Sequence, residues 1–132
     1  MRISREMIDD LVAHAREDAP IECCGMIGGA DGRATTVYRA TNAEESPLRY
    51  RVDPQEQFRI MSEIEERQEE LVAIYHSHTA SPAYPSQTDV NLAEFWPDPV
   101  YVIVSLEDPE EPSIRAFWIK EGQVDEAELV VE

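Results

Sequence analysis

Apolar positions near the start of the chain recur at helical spacing. Met7, Ile8, Leu11, Val12 and Ala15 share one face, Ser4 stands where an N-cap belongs, and Pro20 ends the run. The pattern predicts an amphipathic helix from Ser4 to about Asp18. CCGMIGG and RATTVYRA, separated by Asp31-Gly32, then take the short, glycine-punctuated form of a β-hairpin. LRYRV alternates and is read as another strand. In Asp53-Pro54-Gln55-Glu56 an N-cap, a proline at the first helical position and a capping-box glutamate predict a second helix to about Glu70, with Phe58, Met61 and Ile64 as its apolar stripe. LVAIYHSH predicts a buried strand ending in polar residues. SQTDVNLAEF predicts a helix capped by Ser86, and PVYVIVSL, SIRAFWIK and QVDEAELVV predict three closing strands. The fold class is α/β: one domain over residues 1–132, with a central mixed β-sheet flanked by helices.

A chain of 132 residues with 42% hydrophobic positions can bury one layered core. No apolar run approaches the ~20 residues of a membrane helix, and MRISREMIDD lacks the apolar stretch of a secretory signal. The formal charge of -17 repels phosphate backbones, so neither nucleic acid nor membrane is expected as a partner. Cys23 and Cys24 are adjacent and close no loop, which predicts a cytoplasmic protein without a disulfide framework. Lys120 is the only lysine among eleven basic residues, a bias that codon composition or a saline cytoplasm would equally produce.

The chemistry concentrates between residues 76 and 89. If the strand continues through His78, period two puts His76 and His78 on one face with their imidazoles converging. Asp89, in the first turn of the next helix, can return to the same point with a carboxylate oxygen. Two nitrogens and one oxygen leave a fourth position for water, the pattern of a catalytic zinc site. A His-x-His pair alone is common on ordinary strands. Two histidines with Ser86 and Asp89 at fixed spacing arise by chance on the order of 10⁻³ per chain. Zincin chemistry is excluded because no His-Glu-x-x-His is present, and nucleobase deamination because no Pro-Cys-x-x-Cys is present.

His76-Ser77-His78, seven further residues, then Ser86-x-x-Asp89, with Glu22 upstream in Pro-Ile-Glu-Cys-Cys-Gly-Met-Ile-Gly-Gly, resembles the JAMM motif of the MPN-domain metallopeptidases. The resemblance extends over about residues 3 to 131. HSHTAxxAYPSxTD, the early helix, the Glu-x-Cys-Gly segment and the DPxE helix are most similar to the small bacterial branch that removes cysteine from a ubiquitin-like sulfur carrier. The resemblance implies a cytidine-deaminase-like sheet, Zn2+ held by His76, His78 and Asp89, and a carrier partner ending in Gly-Gly-Cys, cleaved to complete cysteine synthesis. Thr79 stands where many ubiquitin-chain-cleaving members have proline, and the long insertions of those enzymes are missing. Other members act on other ubiquitin-like conjugates, and metal-less members are interaction scaffolds. The scaffold reading requires missing ligands, and none is missing here.

Hydrolysis of an amide needs a nucleophile, a holder for the oxyanion and a proton for the departing amine. A zinc ion there would acidify water and polarise the carbonyl, so the proton needs another carrier. Glu22 is the candidate: it sits in an apolar run, where burial raises its pKa and the ion's charge lowers it. Its alternative is an ordinary solvated surface glutamate. Ser86 is read both as an N-cap and, by the resemblance, as a hydroxyl donor to the oxyanion. Ser77, pointing away from the histidines, is read as a supporting residue. Cys23 and Cys24 are read as small buried residues in preference to a thiol nucleophile or soft ligand. His14 is expected to be half-buried or exposed, and Phe95-Trp96 and Phe117-Trp118 to anchor the core or its edge. The carrier's tail is expected to add as an extended strand, and the acidic surface favours a basic face beside that tail.

Overall fold

A computed structural model describes residues 1–132. Strand β1 (Arg2–Ile3) leads into helix α1 (Arg5–Asp18), whose N-cap Ser4 accepts the Met7 N–H. The hairpin follows as β2 (Cys24–Ala30) and β3 (Arg33–Ala40), then helix α2 (Pro54–Glu66), β4 (Glu70–His78) and the short helix α3 (Gln87–Leu92). Residues Ala93–Phe95 add a 3-10 turn. The chain closes with β5 (Val100–Ser105), β6 (Ser113–Lys120), β7 (Gln123–Ala127) and β8 (Val130–Val131).

All eight strands form one mixed sheet in the order β7-β6-β5-β4-β2-β3-β1-β8, parallel between β4 and β5 and antiparallel between β2 and β4. β7 and β8 sit at opposite ends of that order, yet only Glu128 and Leu129 separate them. Three Cα steps reach at most about 11 Å, whereas a flat sheet of this width would hold its edges about 34 Å apart. The sheet is therefore curled. QVDEAELVV, expected as one strand, is consequently split, its two halves pairing with opposite edges.

Each face carries its own core. Ile8, Leu11 and Ala15 of α1 pack with Ile27, Tyr75, Val102 and Val104 on one side. Ile60 and Ile64 of α2 pack with Met26, Ile74, Ile103 and Phe117 on the other. No helix is long and apolar enough to cross a membrane.

Three local expectations are corrected. LRYRV forms no strand: a single bridge pairs Val52 with Asn42, and its alternation records only that Tyr50 and Val52 are buried. Helix α2 ends at Glu66, four residues early, where Gln68 takes a left-handed turn (φ 59). Its stripe is Ile60 and Ile64, one turn apart; Phe58 is 77% exposed because it falls outside the face those two define. Nor does Glu56 close a capping box. Asp53 caps the helix through the Gln55 and Glu56 N–H groups, while the Glu56 carboxylate accepts the Thr41 N–H.

His14, expected at the surface or half-buried, is buried. Its Nδ1 lies 2.7 Å from the Tyr75 hydroxyl and its Nε2 3.3 Å from Asp18. Burial lowers its pKa, so the neutral ring satisfies both partners by accepting from Tyr75 and donating to Asp18. This pair pins the Tyr75 ring against Gly25, where a Cβ would stand 2.5 Å from Tyr75 Oη. Gly25→Ala is expected to destabilise the fold by about 3 kcal/mol through overpacking, measured as a shifted urea midpoint; a change below about 0.5 kcal/mol would show that the ring can yield. Phe117 is a core anchor and Trp96 packs partly buried against the same core, as expected, whereas Phe95 is 79% exposed and Trp118 41% exposed, so neither belongs to the core.

Candidate active site

His76 and His78 end β4 on the α2 and α3 side of the sheet, both buried, while Ser77 between them faces the other way. Their Nε2 atoms are 3.2 Å apart. The chain then loops through residues 79–85 and enters α3, where Ser86 and Asp89 cap each other: Ser86 Oγ accepts the Asp89 N–H at 3.1 Å, and Asp89 Oδ2 accepts the Ser86 N–H at 2.9 Å. The same Oδ2 lies 3.0 Å from both histidine Nε2 atoms. The capping box thus fixes the rotamer that aims Asp89 at the histidines.

Two observations fit this triangle to a cation. Donors about 2 Å from a tetrahedral ion stand about 3.3 Å from one another, close to the spacing here. His78 Nδ1 lies 2.7 Å from the Pro82 carbonyl and donates its proton there, leaving Nε2 as a free lone pair facing His76 and Asp89. Burial opposes the Asp89 charge, but both imidazoles and the Ser86 N–H outweigh it and hold its carboxyl well below the usual range. Burial lowers the His76 pKa. At His78 burial acts in the same direction, but hydrogen bonds to Asp89 and the Pro82 carbonyl overcome it and raise the pKa.

Glu22 is 3% exposed, which removes the surface reading. Just before β2, it immediately precedes Cys23, whose N–H donates to Ser77 Oγ at 2.8 Å and whose carbonyl accepts the Ser77 N–H at 3.1 Å. This continues the β2–β4 register, in which Cys24 faces His76, and sets Glu22 opposite His78 on the same face. Its Oε1 is buried without a hydrogen-bond partner. Burial, with Asp89 adding to it and His78 opposing, pushes its carboxyl up to about 8. The charge of a cation bound beside it would lower it from there, toward the range in which a carboxyl takes and returns a proton near neutrality. Cys23 and Cys24 are fully buried; burial pushes the Cys23 thiol up to about 12 and Cys24 further, so neither is a nucleophile at neutral pH.

Sequence reasoning missed Tyr50. Its ring, 3% exposed, stacks on His76 with centroids 4.2 Å apart and planes 17° from parallel. The signal was present in LRYRV, but alternation cannot say that a loop folds back over a histidine. Beside this stack Met26, Tyr50, Val52, Leu92, Trp96 and Tyr101 line an apolar cavity of about 470 Å³.

The fold and this buried His-His-Asp cluster define the class. A family model described as prokaryotic homologs of the JAB domain matches residues 4–120, and the chain belongs to that family; it is a hydrolase. The CysO-cysteine peptidase of Mycobacterium tuberculosis (strain ATCC 25618 / H37Rv) is 45% identical over 126 residues, spanning 94% of this chain and 86% of that protein. The desampylase of Haloferax volcanii is 36% identical over 112 residues, 80% of each protein. Among solved structures, the solution structure of a protein from Desulfitobacterium hafniense aligns with a TM-score of 0.90 at 35% identity, covering 99% of this chain and 92% of the other.

Proposed function

We propose that the chain is a zinc peptidase that hydrolyses the bond between the terminal glycine of a ubiquitin-like sulfur carrier and an attached cysteine, releasing cysteine. The observation that carries the chemistry is the meeting of His76, His78 and Asp89 on the face that also holds the buried Glu22 carboxyl. The 45% identity to a CysO-cysteine peptidase supports this choice of substrate.

His76, His78 and Asp89 would hold the ion, which when bound acidifies water and polarises a carbonyl. The residues of the chain supply the rest. Glu22 takes the proton of the attacking water on its carboxylate as the oxygen–carbon bond forms, then gives it to the departing amine nitrogen as the carbon–nitrogen bond breaks. Ser86 Oγ accepts the Asp89 N–H, which leaves its own hydrogen to donate to the carbonyl oxygen as charge develops there. The buried Cys23–Ser77 link keeps the Glu22 backbone in register with both histidines.

A sulfur carrier bearing a C-terminal Gly-Gly-Cys, incubated with zinc-loaded protein, is expected to lose one cysteine residue by intact mass spectrometry. The relationship to a desampylase supports a second substrate class, another ubiquitin-like protein conjugate. If the cysteine adduct stays intact while such a conjugate is cleaved, the first substrate is wrong and the site stands. If neither is cleaved by protein carrying one zinc per chain, the peptidase reading fails.

A further inference from the structure

Glu22 lies between the end of α1 and the start of β2, outside any ladder, and a loop spanning residues 41–53 secures its backbone. The Glu22 N–H donates to the Ser46 carbonyl at 3.0 Å. The Glu22 carbonyl accepts from Asn42 Nδ2 at 3.0 Å. Asn42, 3% exposed, uses every hydrogen-bonding position of its amide: Nδ2 also donates to the Arg49 carbonyl at 3.0 Å, and Oδ1 accepts from the Glu44 and Arg51 N–H groups at 2.9 and 3.1 Å. The loop gathered by this amide carries Ser46, which holds the other side of Glu22, and Tyr50, which stacks on His76.

We propose that Asn42 is a positioning residue for the reaction: its amide sets the Glu22 backbone, and with it the carboxyl, against the His76 and His78 strand while holding Tyr50 over His76. This rests on the reading of Glu22 as the proton carrier. A fully satisfied buried amide has one geometry and tolerates no isosteric replacement. No other side chain bonds both the Glu22 segment and the backbone on either side of Tyr50. An error of about 1 Å in such placement can cost about 10²-fold in rate.

Asn42→Asp keeps the shape and both accepted bonds but turns an oxygen toward the Glu22 and Arg49 carbonyls. The expected result is a kcat about 10- to 100-fold lower with KM within twofold and one zinc per chain by elemental analysis. Hydrogen exchange at the Glu22 amide, protected by Ser46 in the parent, is expected to accelerate. Asn42→Ser, neutral and too short to span the loop, is measured in parallel at a temperature where it is fully folded, and the same split is expected. A kcat within twofold of the parent in a folded variant, or a loss that tracks lost zinc, would overturn the proposal. Glu22→Gln separates the two readings: if it is inactive while the Asn42 variants turn over normally, only the role of Asn42 falls, and if it is active, the role of Glu22 falls first.

Discussion

Glu22→Gln is expected to lower turnover by about 10²- to 10⁴-fold without displacing the metal ion. The amide matches the carboxyl in shape but can neither take the proton of water nor return it to the amine. Glu22 is opposite His78 and is not among the three side chains proposed to hold the ion, so zinc per chain should stay at the wild-type value. A turnover within about tenfold of wild type at full zinc occupancy would remove the proton-carrier role. The same variant should stabilise the metal-stripped protein above neutral pH. In the metal-free fold burial pushes the carboxyl up to about 8 from its ordinary value near 4.5, so the folded state holds the extra proton between those values. Stability is then fully present below about 4.5 and declines as pH rises toward 8. Gln carries no such proton. The melting temperature of the metal-free variant should exceed that of metal-free wild type at pH 8, with the difference shrinking to nothing near pH 4.

Asp89→Asn is expected to abolish both metal binding and turnover, with activity down by at least about 10³-fold. Asp89 Oδ2 alone meets both histidine Nε2 atoms and the Ser86 N–H. An asparagine oxygen still accepts the Ser86 N–H, so the cap of α3 survives and the fold is not the cause of the loss. What disappears is the negative charge that draws a dication to two neutral imidazoles. Elemental analysis should find zinc well below one per chain, and circular dichroism should be unchanged. Full zinc occupancy with normal activity would mean that the ion sits elsewhere.

The parts legible in the sequence are those whose geometry is local. Period two along LVAIYHSH was enough to put two imidazoles side by side, because the alternation of side chains in a strand does not depend on what packs around it. Ser86 as the N-cap of α3 was legible for the same reason, and the structure adds that Asp89 returns the bond to close a capping box. Helix α1 and the β2–β3 hairpin likewise follow from caps, spacing and a turn dipeptide. Where local signs misled, a distant partner had changed the outcome. Glu56 left its capping box for the Thr41 N–H, and the final apolar run broke between two edges that only a curled sheet brings together.

The sequence by itself therefore determined which side chains could chelate and how His76 and His78, or Ser86 and Asp89, relate within their own elements. Only the tertiary structure decided that these two pairs meet, that Glu22 is buried opposite His78, and that an asparagine twenty residues away secures the backbone of that glutamate. The physical reason is range. Strand alternation and helix capping act over a few residues, whereas the burial that lifts the Glu22 carboxyl and the amide of Asn42 that anchors its backbone depend on segments brought together by one curled sheet.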